Sequence, residues 1–399
     1  MYTLFAAAIP GLEPLVRQEL IDLGFRLPEE TPPSQEDAPA AAAPQPAQER
    51  EEDGGIEWQG SLSDMYQANL HLRTASRVLA RAGEFTALTF AEFRKKASKL
   101  PWEQYLRPGQ PAALRVTCRK SRLYHSDAVA ERLAGAISDR LGQETPSVKF
   151  VESAEDHPQL VVVRLVHDQC TISVDTSGER LHRRGYRLAT AKAPLRETLA
   201  AGLLLSAGWD SSAPLLDPFC GSGTIAIEAA RLARRIAPGK NRRFAFMDWP
   251  NYDPRLWQTL RDKAAAQEQP ACAAIQASDR DAGAIELANA NAERAGVLTN
   301  IEFACRAVSA IAPPPPPGWI ITNPPYGLRV SSGHDLRNLY ARLGDILRAQ
   351  CPGWQAGILC SDQSLVGQTR LSLPRSLRTV NGGVPVRFYM GTVTPAQKR

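Results

Sequence analysis

The sequence predicts an α/β protein of two or three domains, and three observations carry that prediction. At 399 residues with 43% apolar content, the chain is long enough to divide and apolar enough to bury ordinary cores. Strand and helix patterns alternate within the first seventy residues. In the second half, an apolar strand at Leu215-Leu216 runs through a glycine turn, Asp217-Pro218-Phe219-Cys220-Gly221-Ser222-Gly223-Thr224. The turn leads into Ile225 to Leu232, whose apolar positions recur at helical spacing.

Taken in chain order, Tyr2 to Ala8 is a strand candidate, Pro10-Gly11 a turn, and Leu12 to Leu23 an amphipathic helix stopped by Gly24. Residues 28–55 hold eight carboxylates against Arg50 alone, a local net of −7, so the rest of the chain carries +12. That Pro/Ala/Glu/Gln stretch cannot bury enough apolar surface to fold and is expected to be a disordered acidic loop inserted in the first domain. The competing reading is a segment that vies with RNA for the basic surface. Gly55 to Gly60 supplies another strand and Leu62 to Leu70 another helix.

Between Ala91 and His125 stand nine cations and two acids, and backbone phosphates are the natural partners of such a surface. Arg94, Lys95, Arg119, Lys120 and Arg122 are candidate RNA contacts. Within Arg119 to His125, Tyr124 and His125 interleave with the cations and could stack on unpaired bases. The competing reading is a solvated charged face. Ser126 to Leu141 then reads as a helix packed on a sheet, and Leu160 to Leu165 with Cys170 to Asp175 as a hairpin. Arg183, Arg184, Arg187, Lys192 and Arg196 mark a junction, either a solvated linker or a grip on RNA entering the second half. On the latter reading, replacing Arg183 and Arg184 by Ala flattens the salt dependence of RNA binding.

Gly221 and Gly223 let a ligand approach the backbone, and the helix start offers free N–H groups to it. The spacing fits a dinucleotide fingerprint, itself a weak signal. A nicotinamide enzyme is disfavoured by Asp217 ahead of the glycines and by the absence of an acid roughly twenty residues beyond them. No phosphate-binding loop ending in Gly-Lys-Ser/Thr occurs. Arg243 to Trp257 reads as an insertion in which Trp249 and Trp257 are packing anchors. The strand Ala273 to Ser278 ends at Asp279, placed for ribose hydroxyls, while Asp281 reads as a helix N-cap. Ile301 to Val308 is a third strand, and the proline run 313–317 a stiff loop.

The strand Trp319 to Thr322 ends in Asn323-Pro324-Pro325-Tyr326. An amide, two prolines and an aromatic ring form a stiff ledge suited to a flat, amine-bearing ring. Asn323 offers a side-chain carbonyl, Pro324 a backbone carbonyl and Tyr326 a face for stacking. Alone, the same four residues read equally well as a rigid strand-to-helix turn. Asn381-Gly382-Gly383 marks a final hairpin turn.

Together, Asp-Pro-Phe-Cys-Gly-Ser-Gly-Thr, then Ser-Asp-Arg-Asp, then Asn-Pro-Pro-Tyr-Gly resemble the class I S-adenosylmethionine-dependent methyltransferases of exocyclic amines. Pro10 to Val16, Leu181 to Arg187 and Ala193 to Ala201 extend the likeness to the THUMP-domain RNA guanosine-N2 methyltransferases, a group that includes bacterial 23S rRNA and tRNA enzymes. The resemblance implies a ferredoxin-like unit over 1–60, a THUMP RNA-binding domain over 61–178, and a Rossmann-like methyltransferase domain with a seven-stranded mixed sheet over 179–399. It implies S-adenosylmethionine as cofactor, held by Asp217, Phe219, Gly221, Gly223, Thr224 and Asp279. Asn323, Pro324 and Tyr326 take the catalytic roles, and rRNA or tRNA is the partner. The family's acid near Ala307, which often contacts the adenine amine, is missing here.

Seven scattered cysteines without paired spacing give no disulfide or zinc framework, and no metal is expected. Neither a signal peptide nor a run of 18 apolar residues is present, so a cytoplasmic monomer is expected. Two other functions stay open: an amino-methyltransferase acting on adenine or on DNA, and a non-catalytic RNA-binding protein.

Overall fold

The computed structural model describes residues 1–28, 54–148, 158–187, 195–270, 273–326 and 336–395. The acidic stretch expected to be a disordered loop lies outside them except at its ends, and Gly55 already belongs to a strand.

Two seven-stranded sheets organise the chain. The first comprises β1 (Tyr2–Ala8), β2 (Gly55–Gly60), β3 (Ala75–Thr86), β4 (Ala112–Arg119), β5 (Ser147–Val148), β6 (Gln159–Val166) and β7 (Gln169–Asp175) in the order β2-β1-β3-β7-β6-β4-β5. Among the described residues four helices accompany it: α1 (Glu13–Asp22), α2 (Leu62–His71), α3 (Phe90–Ala97) and α4 (Ser126–Leu141). Because β3 bonds β1 on one side and β7 on the other, the two expected N-terminal units share one continuous sheet. Helix starts follow from local chemistry. Ser61 and Asp64 form a reciprocal capping box at α2, and Thr89 accepts from the Glu92 amide at α3.

The second sheet comprises β8 (Leu215–Asp217), β9 (Ile275–Asp279), β10 (Ile301–Cys305), β11 (Trp319–Thr322), β12 (Gln355–Cys360), β13 (Arg375–Asn381) and β14 (Val384–Thr392), ordered β10-β9-β8-β11-β12-β14-β13. Five strands are parallel, and the β13–β14 hairpin closes the sheet antiparallel. This is the mixed sheet that the resemblance implies. Its helices are α5 (Glu197–Ala207), α6 (Thr224–Ala233), α7 (Pro254–Ala266), α8 (Ala282–Arg294), α9 (Leu336–Gln350) and α10 (Gln363–Gln368). As expected, Asp281 caps α8.

The halves interlock by exchanging apolar residues. Ile9 and Leu12 from the β1–α1 turn sit in the core of the second half with Leu199, Leu203 and Phe388. In return, Phe244, Phe246, Trp249 and Trp257 sit in the core of the first half. Phe246 stacks on Tyr66 at 4.3 Å, and Trp249 meets Tyr105 edge-on at 5.0 Å. Trp249 and Trp257 are thus packing anchors, each such side chain contributing about 1.5–3 kcal/mol on burial. Among the described residues no helix is long and apolar enough to cross a membrane.

A buried polar seam completes the junction. Arg184 donates to the carbonyls of Leu181 and Arg73, at 2.6 and 2.5 Å, and lies 3.8 Å from Glu228. Tyr186 donates to Glu228 at 3.1 Å, Arg73 to the Ile236 carbonyl at 2.7 Å and Arg231 to that of Ala237 at 3.0 Å. Arginine suits this place because its fork reaches several carbonyls while its charge stays paired. Replacing Arg184 by Ala strips two buried carbonyls of their donor and weakens the pairing of Glu228. The expected cost is on the order of 3 kcal/mol in denaturant unfolding; an unchanged midpoint would contradict the seam's role.

Candidate active site

The strand order of the second sheet reverses between β8 and β11, and in open α/β sheets ligands bind at the carboxyl edge of such a switch point. The glycine turn lies at the end of β8 and Asn323 to Tyr326 at the end of β11. The expected catalytic and cofactor residues therefore converge on one crevice.

Asp217 ends β8 with 1% of its surface exposed. Its Oδ1 accepts from the Thr322 hydroxyl at 2.7 Å and from the Phe219 amide at 3.2 Å, so one carboxyl ties the turn to the neighbouring strand. Asp279, at the end of the adjacent β9, has a related role. Its Oδ2 accepts from the Gly221 amide at 3.0 Å and its Oδ1 from the Asp281 amide at 3.1 Å, and the residue remains partly exposed.

The two glycines of the turn differ in their task. Gly223, at φ +84°, caps α6, and a Cβ there would lie 3.1 Å from Ala288 and 3.2 Å from the Phe303 ring, so it serves close packing. Gly221, at φ +49°, has no atom within 4 Å of the position a Cβ would take, and its bare backbone faces open space. Thr224 opens α6 but is 5% exposed, its hydroxyl accepting from Arg187. The expected ligand contact at Thr224 is therefore the helix end more than the hydroxyl.

Along the ledge, Asn323 Oδ1 is buried and has no hydrogen-bond partner among the described residues. A buried, unpaired carbonyl oxygen carries a desolvation cost that is relieved only when a donor reaches it. Pro324 is buried, and the Pro325 carbonyl accepts from Tyr340 at 3.3 Å. The half-buried Tyr326 ring packs against two cores, and its hydroxyl accepts from Asn381 Nδ2 at 3.1 Å. Burial raises the phenol above its ordinary pKa, which keeps it neutral. Thr322, Tyr340 and Asn381 escaped the sequence reading. Thr322 directly precedes the motif and could have been flagged as its anchor, whereas Asn381 read only as a turn residue.

At the missing acid, Ala307 leads into a short 3-10 turn at Val308–Ala310. β10 ends at Cys305, short of the expected Val308, and Glu302 on it is engaged by Gln276 at 2.9 Å and Arg306 at 3.3 Å.

The expected RNA contacts stand on several elements. Lys120 and Arg122 are exposed on the loop between β4 and α4 with Arg119 at its start; Tyr124 is 68% exposed there, 4.0 Å from the His125 ring. Lys95 is exposed on α3, while Arg94 makes a bidentate pair with Asp139 across α3 and α4 at 2.8 and 2.9 Å. Arg183 pairs with Glu179 at 2.9 Å and is partly exposed. Arg184 and Arg187 correct the expectation of a basic grip at the junction. Arg184 is 2% exposed within the seam, and Arg187 bonds the Leu195 carbonyl and pairs with Glu197. Both are framework residues because carbonyls and glutamates from other segments meet their guanidinium groups; Lys192 lies outside the described residues.

Burial, with a further push from the charge of Asp279, raises the Asp217 carboxyl from 3.8 to about 7. Between about pH 4 and 7 the folded chain keeps a proton that the unfolded chain has lost, so this group's contribution is full below that window and is lost as pH rises through it. Denaturant unfolding of wild type and Asp217→Asn should therefore diverge progressively across this window, the wild type losing stability relative to the variant. A difference independent of pH would contradict it.

Comparison with known proteins bears on the family and the fold. The family model of the RMKL-like methyltransferase domain matches residues 184–386, that of the RlmL ferredoxin-like domain residues 46–79, and that of the THUMP domain residues 87–175. A Synechocystis protein named as a candidate RNA methyltransferase is 32% identical over 96% of this chain and 94% of its own. The Psychromonas ingrahamii ribosomal RNA large subunit methyltransferase K/L is 34% identical over 96% of this chain and 49% of its own, so the chain spans about half the length of such K/L relatives. Among solved structures, a Clostridium difficile methylase superposes with TM-score 0.83 at 30% identity, covering all of this chain and 99% of that one. SMU.472, a methyltransferase solved with SAH, gives the same TM-score at 27% identity, with 100% and 99% of the two chains covered. By its fold, its crevice and these matches, the chain belongs to the RMKL-like methyltransferase family, with ferredoxin-like and THUMP domains ahead of the methyltransferase domain.

Proposed function

We propose that the chain transfers a methyl group from S-adenosylmethionine to the exocyclic N2 of a guanosine in structured RNA. The observation that carries this reading is the buried Oδ1 of Asn323, without a partner among the described residues, at the same edge of the sheet as the open backbone of Gly221. A K/L relative is named as a ribosomal RNA methyltransferase, and SMU.472 was solved with SAH.

The residues present fit an S-adenosyl nucleoside. Gly221 leaves room for it, Asp279 keeps acceptor capacity for ribose hydroxyls, and the start of α6 offers amides. When bound, S-adenosylmethionine supplies a methyl group on a positively charged sulfur. The chain's task is then to hold and prepare the amine. A guanine N2 lone pair is delocalised into the ring. Asn323 Oδ1 and the Pro324 carbonyl accept the amine hydrogens, which draws the nitrogen towards a pyramidal, nucleophilic form. The same acceptors stabilise positive charge that develops on it. The Tyr326 ring stacks on the base, worth about 1–3 kcal/mol. Lys120, Arg122 and Tyr124 offer phosphates and an unpaired base a second foothold.

Adenine N6 is a second reading, since it too is a delocalised amine. A Listeria monocytogenes structure described as an N6-adenine-specific DNA methylase is 31% identical over 98% of this chain and 95% of its own, with TM-score 0.83.

The test is methyl incorporation into unmodified large-subunit ribosomal RNA, with transfer RNA and DNA as parallel arms. Asn323→Ala should lower turnover by about a hundredfold, the scale of losing one preorganised polar group. Tyr326→Ala should lower it by roughly tenfold to a hundredfold. Calorimetric affinity for S-adenosylmethionine should stay unchanged in both. Near wild-type turnover in both variants, or no binding of S-adenosylmethionine by the wild type, would defeat the proposal.

A further inference from the structure

The tip of the β13–β14 hairpin reaches the ledge although Asn381 follows Tyr326 by 55 residues. Strand direction explains how. β11 runs parallel to β12, β14 returns antiparallel to β12, and β13 is antiparallel to β14, so β13 points the same way as β11. Its carboxyl end therefore lies at the edge of the sheet that carries the ledge. β12 ends at Cys360, opposite Arg387, and Arg387 faces Arg378. The hairpin then continues through the pairs Thr379↔Val386, Val380↔Pro385 and Asn381↔Val384. At about 3.4 Å per residue its tip stands roughly 10 Å beyond the end of β12.

This overhang is braced from two sides. Leu377 and Val384 pack on the same core as the Tyr326 ring. On the other side the β1–α1 turn leans on β13, where Gly11 passes so close that a Cβ would collide with the Arg378 carbonyl. The hairpin thus connects the N-terminal half to the ledge, and its last paired residue donates Nδ2 to the Tyr326 hydroxyl at 3.1 Å.

We infer that Asn381 is a positioning residue for methyl transfer, which by holding the phenol of Tyr326 fixes the ring against which the target base stacks. The inference rests on the ledge binding that base. A tyrosine anchored only at its Cβ end can exchange rotamers; a contact at the far end of the ring fixes χ1, the torsion that swings the whole ring, and so the place where its face stands. Since a misplaced reacting group loses rate steeply with small displacements, the effect belongs in turnover, with cofactor affinity untouched.

The experiment is a double-mutant cycle in the full chain, read as methyl incorporation into unmodified large-subunit ribosomal RNA. Asn381→Ala should lower kcat by roughly three- to tenfold, the scale of one hydrogen bond. Affinity for S-adenosylmethionine and the melting temperature should stay unchanged. Tyr326→Phe, which keeps the ring and loses the contact, should show a similar fall, and the double variant no further one. Wild-type turnover in Asn381→Ala overturns the inference. So does a loss of undiminished size in the Tyr326→Phe background, or one that follows the melting temperature. If Tyr326→Ala turns over normally, the ledge reading fails and Asn381 falls with it. If Tyr326→Ala is inactive while Asn381→Ala is normal, only the positioning role fails.

Discussion

The buried hydrogen bond from Thr322 to Asp217 is the constraint on which the crevice depends. β8 and β11 are paired through only two residues each, Leu215 with Trp319 and Leu216 with Ile320. Where that ladder ends, the strands carry the two halves of the site, and a side-chain bond of 2.7 Å takes over from the backbone. Asp217 also receives the Phe219 amide, and Asp279 receives that of Gly221. Two carboxylates thus hold three strand ends in register. Burying Asp217 is costly, and its raised pKa expresses that cost. Its compensation is a crevice whose walls are set before any ligand arrives.

The N-terminal half is attached to this crevice by interlocking cores and an arginine seam. The seam gathers around Arg73, between α2 and β3, whereas the exposed Lys120, Arg122 and Tyr124 follow β4, three strands away from β3 in the first sheet.

Much of this was legible in the sequence because the signals were local. The glycine turn, the capping residue Asp281, the strand ending at Thr322 and the helix Ser126 to Leu141 each declare themselves within a few residues, and each stands where expected. What could not be read was tertiary. Arg184 and Arg187 have the composition of a basic linker, yet become buried framework because carbonyls and glutamates from distant segments meet them. Arg94 looks like a free cation until Asp139 packs beside it. Asn381 touches Tyr326 only because the closing hairpin overhangs its sheet. Long-range pairing decides all three cases, and composition does not encode it.

Among the described residues the buried acceptor of Asn323 has no donor, and on the proposed reading an exocyclic amine of a base supplies one. Nucleoside mass spectrometry of unmodified large-subunit ribosomal RNA, after incubation with the chain and S-adenosylmethionine, tests that claim most directly. N2-methylguanosine, formed by wild type and lost in Asn323→Ala, is the expected result. A methyl group on a ring carbon or a ribose oxygen, or a product that persists undiminished in Asn323→Ala, would contradict it.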